Sequence, residues 1–453
     1  MKIIFVIPAA DIRRTLLYRM GNNFYGRKNP IVGPLILAGI LKKAGHTVEV
    51  YEELYEDVDY SKISDCDVLG IYTMTSNVRR AYEMADYFRK EKEKRVVIGG
   101  MHASVMPEEA SQHADQVVVG EAENVIVDVM EGRSKEKIVY ARPVKDLDTI
   151  PFPDYSLLKT PCNEANVLTT RGCLFKCNFC STSRMFDPFR ARSPENVIEE
   201  LKTYKKMGFK YMNFQDDNFT ADKDRAKAIL RKMIENNLAF RDTFFFGRTD
   251  IANDPELLQL LRNANLRCVL VGIESLNQES LNYINKKQVV DDIKRAGEML
   301  YKYKIKLLAS LVLGLDYDGK EEIRKSVEFC KSINAYQLQP AILTPYPKTP
   351  IYKQFEEENR IIVKDWQYYD MMTVVFKPKK LTPWELQKEF FNAVKKFYSF
   401  PSIFKIFRIF GFKAGLNRIG LWFVTKFGIL YNEIKANIND GNVYNFLKNY
   451  KAS

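Results

Sequence analysis

Two runs of alternating strand and helix patterns organise most of the chain. In residues 1–140, β-branched stretches such as "KIIFVI" (2–7) and "RVVIGG" (95–100) are apolar throughout, and amphipathic segments such as "NVRRAYEMADYFRKE" (77–91) separate them. Continuous apolar strands between amphipathic helices are typical of a parallel sheet that is covered on both faces. This pattern predicts an α/β fold that begins with a doubly wound, Rossmann-like parallel-sheet domain over residues 1–140.

A second α/β series follows a proline-spaced stretch that we interpret as a linker, residues 141–165. Its strand patterns are "NVLTT" (166–170), "YMNFQDD" (211–217), "FFFGRTD" (244–250), "CVLVGIES" (268–275), "KLLASLVLG" (306–314) and "YQLQPAIL" (336–343). Helical patterns separate these strands. Six such units in succession predict a partial α/β barrel over residues 166–350, with its chemistry at the carboxyl ends of the strands.

The pattern changes again in the last segment, residues 351–453, which is predicted to be mostly helical. Aromatic and branched aliphatic residues are dense between 397 and 435, with lysines and arginines spaced among them. Residues 391–435 hold eight basic side chains and one acidic side chain. The segment therefore carries part of the chain's positive excess.

Composition narrows the setting in which the protein works. The formal net charge of +12 favours an anionic partner. The seven cysteines are too sparse and uneven for a disulfide framework, which indicates a reducing, cytoplasmic location. "MKIIFVIPAADIRR" is typical of a first β-strand rather than of a secretory signal. We expect no membrane-spanning helix, because no run of about eighteen uncharged apolar residues is present.

Three of the cysteines, Cys173, Cys177 and Cys180, lie within "TTRGCLFKCNFCSTS" (169–183). Closely spaced thiols in a reducing compartment usually hold a metal. A closed zinc site would use four ligands in two separated pairs, and the other four cysteines are isolated from one another. Three ligands on one loop instead suit a cubane iron–sulfur cluster with one open iron.

This C-x-x-x-C-x-x-C loop after a first barrel strand, with Phe179 before its last cysteine, resembles the radical S-adenosylmethionine superfamily. The resemblance implies a 4Fe–4S cluster held by the three cysteines, with S-adenosylmethionine bound at the open iron. It also implies reductive cleavage of S-adenosylmethionine to a 5′-deoxyadenosyl radical, with electrons from an external reductant of the flavodoxin or ferredoxin type.

Later strand ends match the same superfamily and would contact S-adenosylmethionine. Asp216 and Asp217 are candidates for its amino group, although paired carboxylates also suit magnesium or a helix N-terminus. Arg248 is a candidate for the cofactor or for an ion pair with Asp250. The remaining candidates, at the fourth and fifth strands, are Gly272, Glu274 and Gly314.

The domain order, with "GGMHAS" (99–104) and "VVVGEAENV" (117–125) in the first domain, resembles the cobalamin-binding branch of this superfamily. The resemblance places cobalamin at the carboxyl ends of the first-domain strands. The residues it points to are Thr73, Thr75, Ser76, Gly99, Gly100, His102, Gly120 and Glu121. A D-x-H-x-x-G motif is absent, so cobalt would not be ligated by that motif. His102 also suits an ordinary structural role, and a domain that keeps the fold without the corrin stays open.

The resemblance implies methyl transfer to an unactivated carbon, and three activities stay open. The first is C-methylation. The second is a radical reaction without methylation, such as coupling, cyclisation or rearrangement. The third is a non-enzymatic role as a metal or corrin carrier. Nucleic acid is disfavoured as a partner, because the tRNA methylthiotransferases need a second cysteine triplet that this chain lacks. "FPSIFKIFRIFGFK" (400–413) predicts a helix at a membrane surface or one packed on the barrel. Hopanoid methylases have a similar domain order. We therefore expect a lipid or isoprenoid-like substrate and peripheral membrane contact through 397–435.

Overall fold

The structure, a computed structural model, describes residues 1–14, 28–160, 162–437 and 442–450. The chain divides into two compact units. The first unit comprises Met1–Leu174 and Ser181–Thr243, and the second comprises Phe175–Cys180 and Phe244–Ser453. The predicted domain boundaries at residues 140, 165 and 350 stay predictions.

The first unit opens with a six-stranded parallel sheet. Its strands are β1 (Lys2–Ile7), β2 (Thr47–Glu52), β3 (Val68–Thr73), β4 (Arg95–Gly100), β5 (Gln116–Val119) and β6 (Ile138–Tyr140). They lie in the order β2-β1-β3-β4-β5-β6, and every neighbouring pair is parallel. The predicted doubly wound sheet is confirmed, with β6 as an additional strand.

Six helices accompany this sheet among the described residues. They are α1 (Val32–Lys43), α2 (Tyr60–Ile63), α3 (Val78–Glu91), α4 (Met101–Val105), α5 (Pro107–His113) and α6 (Ile126–Met130). Helix α3 shows why the sequence folds this way, because Val78, Ala81, Ala85 and Phe88 recur every three or four residues and are all buried.

The second α/β series supplies eight strands. They are β7 (Glu164–Val167), β8 (Thr170–Arg171), β9 (Arg190–Ala191), β10 (Tyr211–Phe214), β11 (Arg241–Gly247), β12 (Cys268–Glu274), β13 (Lys306–Leu313) and β14 (Gln337–Ile342). Six of them form a sheet in the order β14-β13-β12-β11-β10-β7, and β8 and β9 form an antiparallel pair. The chain leaves the first unit and enters the second within β11.

The helices of this series follow its strands as the pattern predicts. They are α7 (Thr182–Met185), α8 (Pro194–Lys206), α9 (Lys223–Glu235), α10 (Pro255–Asn263), α11 (Gln278–Tyr283), α12 (Val290–Lys302), α13 (Lys320–Ser332) and α14 (Pro350–Glu357). Helix α8 begins at Pro194 because the Ser193 side chain accepts a hydrogen bond from the N–H of Asn196.

The end of the second unit is helical, as predicted. Its helices are α15 (Pro383–Phe397), α16 (Phe400–Phe410), α17 (Phe412–Asn437) and α18 (Val443–Asn449). Gly411, with a φ of 85°, separates α16 from α17. No helix in the described ranges is both long and apolar enough to cross a membrane.

One face of helix α16 packs on the protein, which is one of the two roles predicted for it. Ile403 and Ile406 are buried, and Ile406 belongs to a cluster with Tyr336 and Ala414 against which Phe410 packs. The large apolar side chains of α16 that remain exposed are Phe400 and Phe404. Sequence periodicity alone does not distinguish packing on protein from contact with lipid, since both bury the same apolar face.

Candidate functional site

The cysteine loop begins directly after β8, at Gly172. This glycine has a φ of 84°, and a Cβ there would collide with the carbonyl oxygen of Phe186. Cys177 is buried, whereas Cys173 and Cys180 are partly exposed. Throughout the described part of the chain, no three His, Cys, Asp or Glu side chains converge as metal ligands would. The assignment of the three cysteines as cluster ligands rests on the chemistry of their donor set and stays a proposal.

Two cations lie near Cys177 in the second unit. Burial raises the pKa of the Cys177 thiol, and the charges of Lys286 and Arg248 act against that rise. A cationic neighbourhood stabilises the thiolate, which is the form that binds metal. The donor set and its surroundings thus fit an iron–sulfur cluster. Lys286 was missed by sequence reasoning, because nothing in "NKKQ" (285–288) distinguishes a buried lysine from a solvated one.

Arg248, at the end of β11, is buried and fixed by two contacts. Its guanidinium carbon lies 3.6 Å from the centroid of the Phe175 ring, and Nη2 donates a hydrogen bond to the carbonyl of Lys286. Phe175 is two residues before Cys177 in the sequence, and Lys286 is near enough to Cys177 for its charge to act on the thiol. Arg248 therefore braces the cysteine loop within the second unit, and a direct contact with S-adenosylmethionine stays a prediction.

The fourth strand end, at Gly272 and Glu274, has an irregular backbone. The register of β12 against β13 shifts between these residues, and Glu274 has a φ of 63°. Lys286 Nζ lies 2.5 Å from Glu274 Oε1, and a Cβ on Gly272 would collide with both groups. Gly272 therefore makes room for a buried ion pair. This pair occupies the carboxylate of Glu274, whose predicted contact with S-adenosylmethionine stays a prediction. Backbone strain of this kind in a non-glycine residue is concentrated at functional sites.

Gly314 and Phe179 complete the predicted contacts of the second unit. Gly314 has a φ of 93°, and a Cβ there would lie 2.5 Å from Cδ2 of Leu386. The observed close approach at Gly314 is thus to helix α15, and its contact with S-adenosylmethionine stays a prediction. Phe179 is partly buried on the cysteine loop, and its role also stays a prediction.

The paired aspartates after β10 have separate roles. Asp216 is fully buried, and its carboxylate accepts hydrogen bonds from the N–H groups of Thr169 and Thr170 and from the Thr169 hydroxyl. Its oxygens are occupied by the chain itself, so Asp216 positions the segment that leads into the cysteine loop. The prediction that it binds the amino group of S-adenosylmethionine is not supported by this geometry.

Asp217, by contrast, faces a cavity and is solvent-accessible there. Protein atoms surround it on the other sides, and this desolvation, with the charge of Asp216, raises the pKa of Asp217 to about 7. A hydrogen bond with Thr182 acts in the opposite direction. Asp217 is therefore the member of the pair that is available to a ligand.

This cavity lies within the first unit and has a volume of about 540 Å³. Residues at the strand ends of both α/β series line it, including Tyr72, Gly100 and Gly120 of the first series and Thr170 and Gln215 of the second. The volume is in the range of small-molecule sites. The cavity thus brings the strand ends predicted for cobalamin next to those that flank the cysteine loop.

Two of the three glycines predicted for cobalamin, Gly100 and Gly120, line this cavity at backbone positions that exclude side chains. Gly100 and Gly120 have φ values of 101° and 88°. A Cβ on Gly100 would lie 2.6 Å from the carbonyl oxygen of Thr73, and one on Gly120 would lie 3.0 Å from that of Ala141. Two bare backbone segments form a cradle, which fits close approach of a large planar ligand.

The polar residues predicted for cobalamin mostly support the loops instead. Both ring nitrogens of the fully buried His102 are engaged, with Thr75 at 3.2 Å and Glu109 at 3.3 Å. Thr73 donates its hydroxyl to the carbonyl of Gly99. The structural role considered for His102 is therefore the observed one. Gly99 and Ser76 are partly buried, and their contact with the corrin stays a prediction.

Glu121 lines the cavity and takes part in a buried ion network, and its contact with cobalamin stays a prediction. Its carboxylate accepts hydrogen bonds from the guanidinium groups of Arg171 and Arg190 and from the backbone N–H of Val144. Burial alone would raise the pKa of Glu121, and these partners instead hold it below the ordinary value. Arg171 lies two residues before Cys173, so the network ties the "GEAE" loop to the start of the cysteine loop.

Comparison with known proteins agrees with this arrangement. The model of the B12 binding domain matches residues 25–130, and that of the Radical SAM superfamily matches residues 167–330. Bacteriochlorophyllide d C-8(2)-methyltransferase of Chlorobaculum tepidum is 29% identical over 391 residues, which make up 79% of this chain and 83% of that protein. Hopanoid C-2 methylase of Rhodopseudomonas palustris is 27% identical over 244 residues, 51% of this chain and 46% of that protein.

A solved structure shows the same fold. The radical S-adenosylmethionine methyltransferase TsrM from Kitasatospora setae, with cobalamin and a 4Fe–4S cluster bound, superimposes with a TM-score of 0.66 at 16% identity over 88% of both chains. The two family matches bear out the predicted cofactors, because a radical SAM domain implies a 4Fe–4S cluster, S-adenosylmethionine and an external reductant, and a B12 binding domain implies cobalamin. The chain thus carries a B12 binding domain followed by a radical S-adenosylmethionine domain, and in this domain order it is similar to cobalamin-dependent radical S-adenosylmethionine methyltransferases.

Proposed function

We propose that this enzyme methylates an unactivated carbon of a hydrophobic, lipid- or isoprenoid-like small molecule. The observation that carries the proposal is the cavity of the first unit, which strand ends of both α/β series line. When bound, the cluster and S-adenosylmethionine supply the radical that removes a hydrogen atom, and cobalamin supplies the methyl group. A substrate bound next to the corrin at this cavity would lie beside Gly172 and Thr182, which flank the cysteine loop.

The lining of the cavity supports a hydrophobic substrate with a polar group. Apolar side chains such as Ile36, Leu168, Met185 and Phe186 form much of the wall and exclude water from the reacting carbon. The polar side chains Asn166, Gln215 and Asp217 lie on the same wall. Small-molecule sites combine many apolar contacts with a few polar groups that orient the ligand. Asp217 and Gln215 would hold the polar group of the substrate.

The names of two relatives support a hydrophobic substrate. One is named for bacteriochlorophyllide and another for hopanoid, both of which are largely hydrophobic ring compounds. The predicted peripheral membrane contact through residues 397–435 would suit such a substrate, because hydrophobic molecules of this kind partition into bilayers. The cytoplasmic location stays a prediction.

An anaerobic turnover experiment tests the function. The reconstituted enzyme, loaded with cobalamin, is incubated with reductant, a lipid extract and methyl-deuterated S-adenosylmethionine, and lipids and nucleosides are analysed by mass spectrometry. We expect 5′-deoxyadenosine, S-adenosylhomocysteine and a lipid that carries the deuterated methyl group. Release of 5′-deoxyadenosine without S-adenosylhomocysteine would instead support coupling, cyclisation or rearrangement, and release of neither would support the carrier.

A matched pair of variants makes the experiment specific. Cys177→Ala removes a proposed cluster ligand, whereas Cys66→Ala removes a buried cysteine of the first sheet domain. Product formation should be lost in the first variant and kept in the second. Equal activity of the two variants would contradict the assignment of the cysteine loop.

A further inference from the structure

Helix α17 carries an exposed apolar face along most of its length. Large side chains on this face include Phe412, Leu416, Phe423, Phe427, Leu430 and Ile434, whose exposed fractions run from 47% to 73%. With about 100° of rotation per residue, Leu416, Phe423, Phe427, Leu430 and Ile434 fall within roughly 60° of one another. They form a continuous strip about 27 Å long at a rise of about 1.5 Å per residue. We call these five residues the α17 strip.

The opposite face of the helix fixes the direction of this strip. Ala414, Arg418 and Ile429 are buried. The Arg418 guanidinium carbon lies 5.0 Å from the centroid of the Phe397 ring, and Nη2 donates to the carbonyl of Tyr336. Because these contacts anchor the other side of α17 within the second unit, the strip faces outward as a fixed feature of the fold. Contiguous exposed apolar surface of this kind marks an interaction site.

Charges around the strip are almost all positive. Residues 400–437 hold six basic side chains and one acidic side chain, Glu433. Glu433 is paired with Lys395 at 2.5 Å. Lys413 and Lys426 are exposed on the two sides of the strip, and Lys426 Nζ lies 5.0 Å from the centroid of the Trp422 ring. The apolar strip thus has a cationic border.

We propose that the protein docks on an anionic bilayer surface through the α17 strip, with Lys413 and Lys426 at the headgroups. An apolar helix face rich in phenylalanine, bordered by lysines, is the chemistry of a helix that lies in the plane of a membrane. A second copy of the chain is a poorer occupant, since it would bring the same cationic border and the same net charge of +12 against this one. The purpose of docking, access to a hydrophobic substrate, rests on the proposed function, whereas the binding itself does not.

Vesicle flotation with the full-length, cofactor-loaded enzyme tests the proposal. Vesicles of phosphatidylcholine with phosphatidylglycerol are compared with vesicles of phosphatidylcholine alone. Wild type should float with the anionic vesicles, and salt should weaken this binding by screening. The double variant Phe423→Glu/Phe427→Glu should bind roughly 100-fold less tightly, because two buried phenyl groups are lost from the interface. The control Val289→Glu/Tyr301→Glu alters two side chains of similar exposure, 50% and 48%, and should bind like wild type.

Three results would overturn the proposal. Wild type that ignores anionic vesicles would do so, and so would a strip variant that binds them as wild type does. The third is a dimer in sedimentation velocity without lipid that the strip variant dissociates, since the strip would then accept a second copy. Formation of 5′-deoxyadenosine is measured in parallel on every variant. Its presence without vesicle binding overturns docking alone, and its absence in wild type overturns the proposed function.

Discussion

Asp216 and Thr169 are joined by two hydrogen bonds. Oδ1 accepts from the backbone N–H of Thr169 at 2.5 Å, and Oδ2 accepts from its hydroxyl at 2.6 Å. These contacts connect the end of β10 to the segment just before β8 and the cysteine loop. The neighbouring Asp217 instead faces the cavity. Two adjacent carboxylates therefore serve the site in different ways, one by positioning the chain and one by facing the ligand.

Substitution of the two aspartates should separate these roles. Asp216→Ala leaves two buried N–H groups and a hydroxyl without their acceptor, so the free energy of unfolding should fall by about 3 kcal/mol. Asp217→Ala removes a cavity-facing carboxylate and should leave stability within about 0.5 kcal/mol of wild type. Anaerobic urea denaturation measures both variants. Equal destabilisation of the two would contradict the division of roles.

Stability should depend on pH through Glu52. This residue ends β2 with 2% of its surface exposed and accepts a hydrogen bond from the N–H of Ile31 at 3.2 Å. Burial raises the pKa of Glu52 to about 8, from 4.5 for the free side chain. The folded protein therefore keeps this proton over a pH range in which the unfolded chain loses it. The associated stability is complete below pH 4.5 and is lost as the pH rises through 8.

The variant Glu52→Gln measures this contribution. The amide has nearly the shape of the protonated carboxyl and does not titrate, so its stability should vary less between pH 5 and pH 8. The difference from wild type over this window should be on the order of a few kcal/mol. Unfolding curves at several pH values give the slope, and parallel pH profiles for the two proteins would count against a protonated Glu52.

Cobalamin binding should respond to the size of residue 33. Gly33 lines the cavity, and a Cβ there would touch only Cε2 of Tyr72, at 3.9 Å. Gly33→Ala should therefore keep the corrin, whereas Gly33→Trp fills the cavity and should reduce corrin bound per chain at least tenfold, a cost of about 1.4 kcal/mol. Visible absorbance after reconstitution measures both. Full corrin loading of the tryptophan variant would place cobalamin elsewhere.

Iron content should follow the cysteine triplet. Alanine at Cys173, Cys177 or Cys180 removes a thiolate ligand, so each variant should lose most of its iron and sulfide. Cys330→Ala is the control, because this cysteine is fully buried in helix α13 and outside the triplet. Chemical analysis after anaerobic reconstitution decides the matter. Normal iron in a triplet variant would remove that cysteine from the ligand set.

Much of the architecture was predictable, because parallel strands that are buried on both faces have continuous apolar sequences. The predicted strands over 2–7 and 95–100 match β1 and β4 residue for residue. Strand β6 was missed because its three residues carry too little pattern. Backbone freedom was also readable, since Gly100, Gly120 and Gly314 all have positive φ.

Side-chain partners were not readable from the sequence in the same way. Glu121, Glu274 and His102 stand at strand ends where ligands are expected, yet each is engaged by another residue of the chain. Their partners, among them Arg190 and Lys286, are distant in sequence. Only the tertiary fold brings such residues together. The positions of the motifs therefore identified the region of the site, but they did not show which side chains in it remain available to a ligand.

The most direct test of the account is the electron paramagnetic resonance spectrum of the reduced, anaerobically reconstituted protein, recorded with and without S-adenosylmethionine. We predict the signal of a reduced 4Fe–4S cluster whose line shape changes when S-adenosylmethionine is added, because the open iron accepts it. A protein that carries zinc on the triplet and no iron, or a cluster signal indifferent to S-adenosylmethionine, would contradict the central claim.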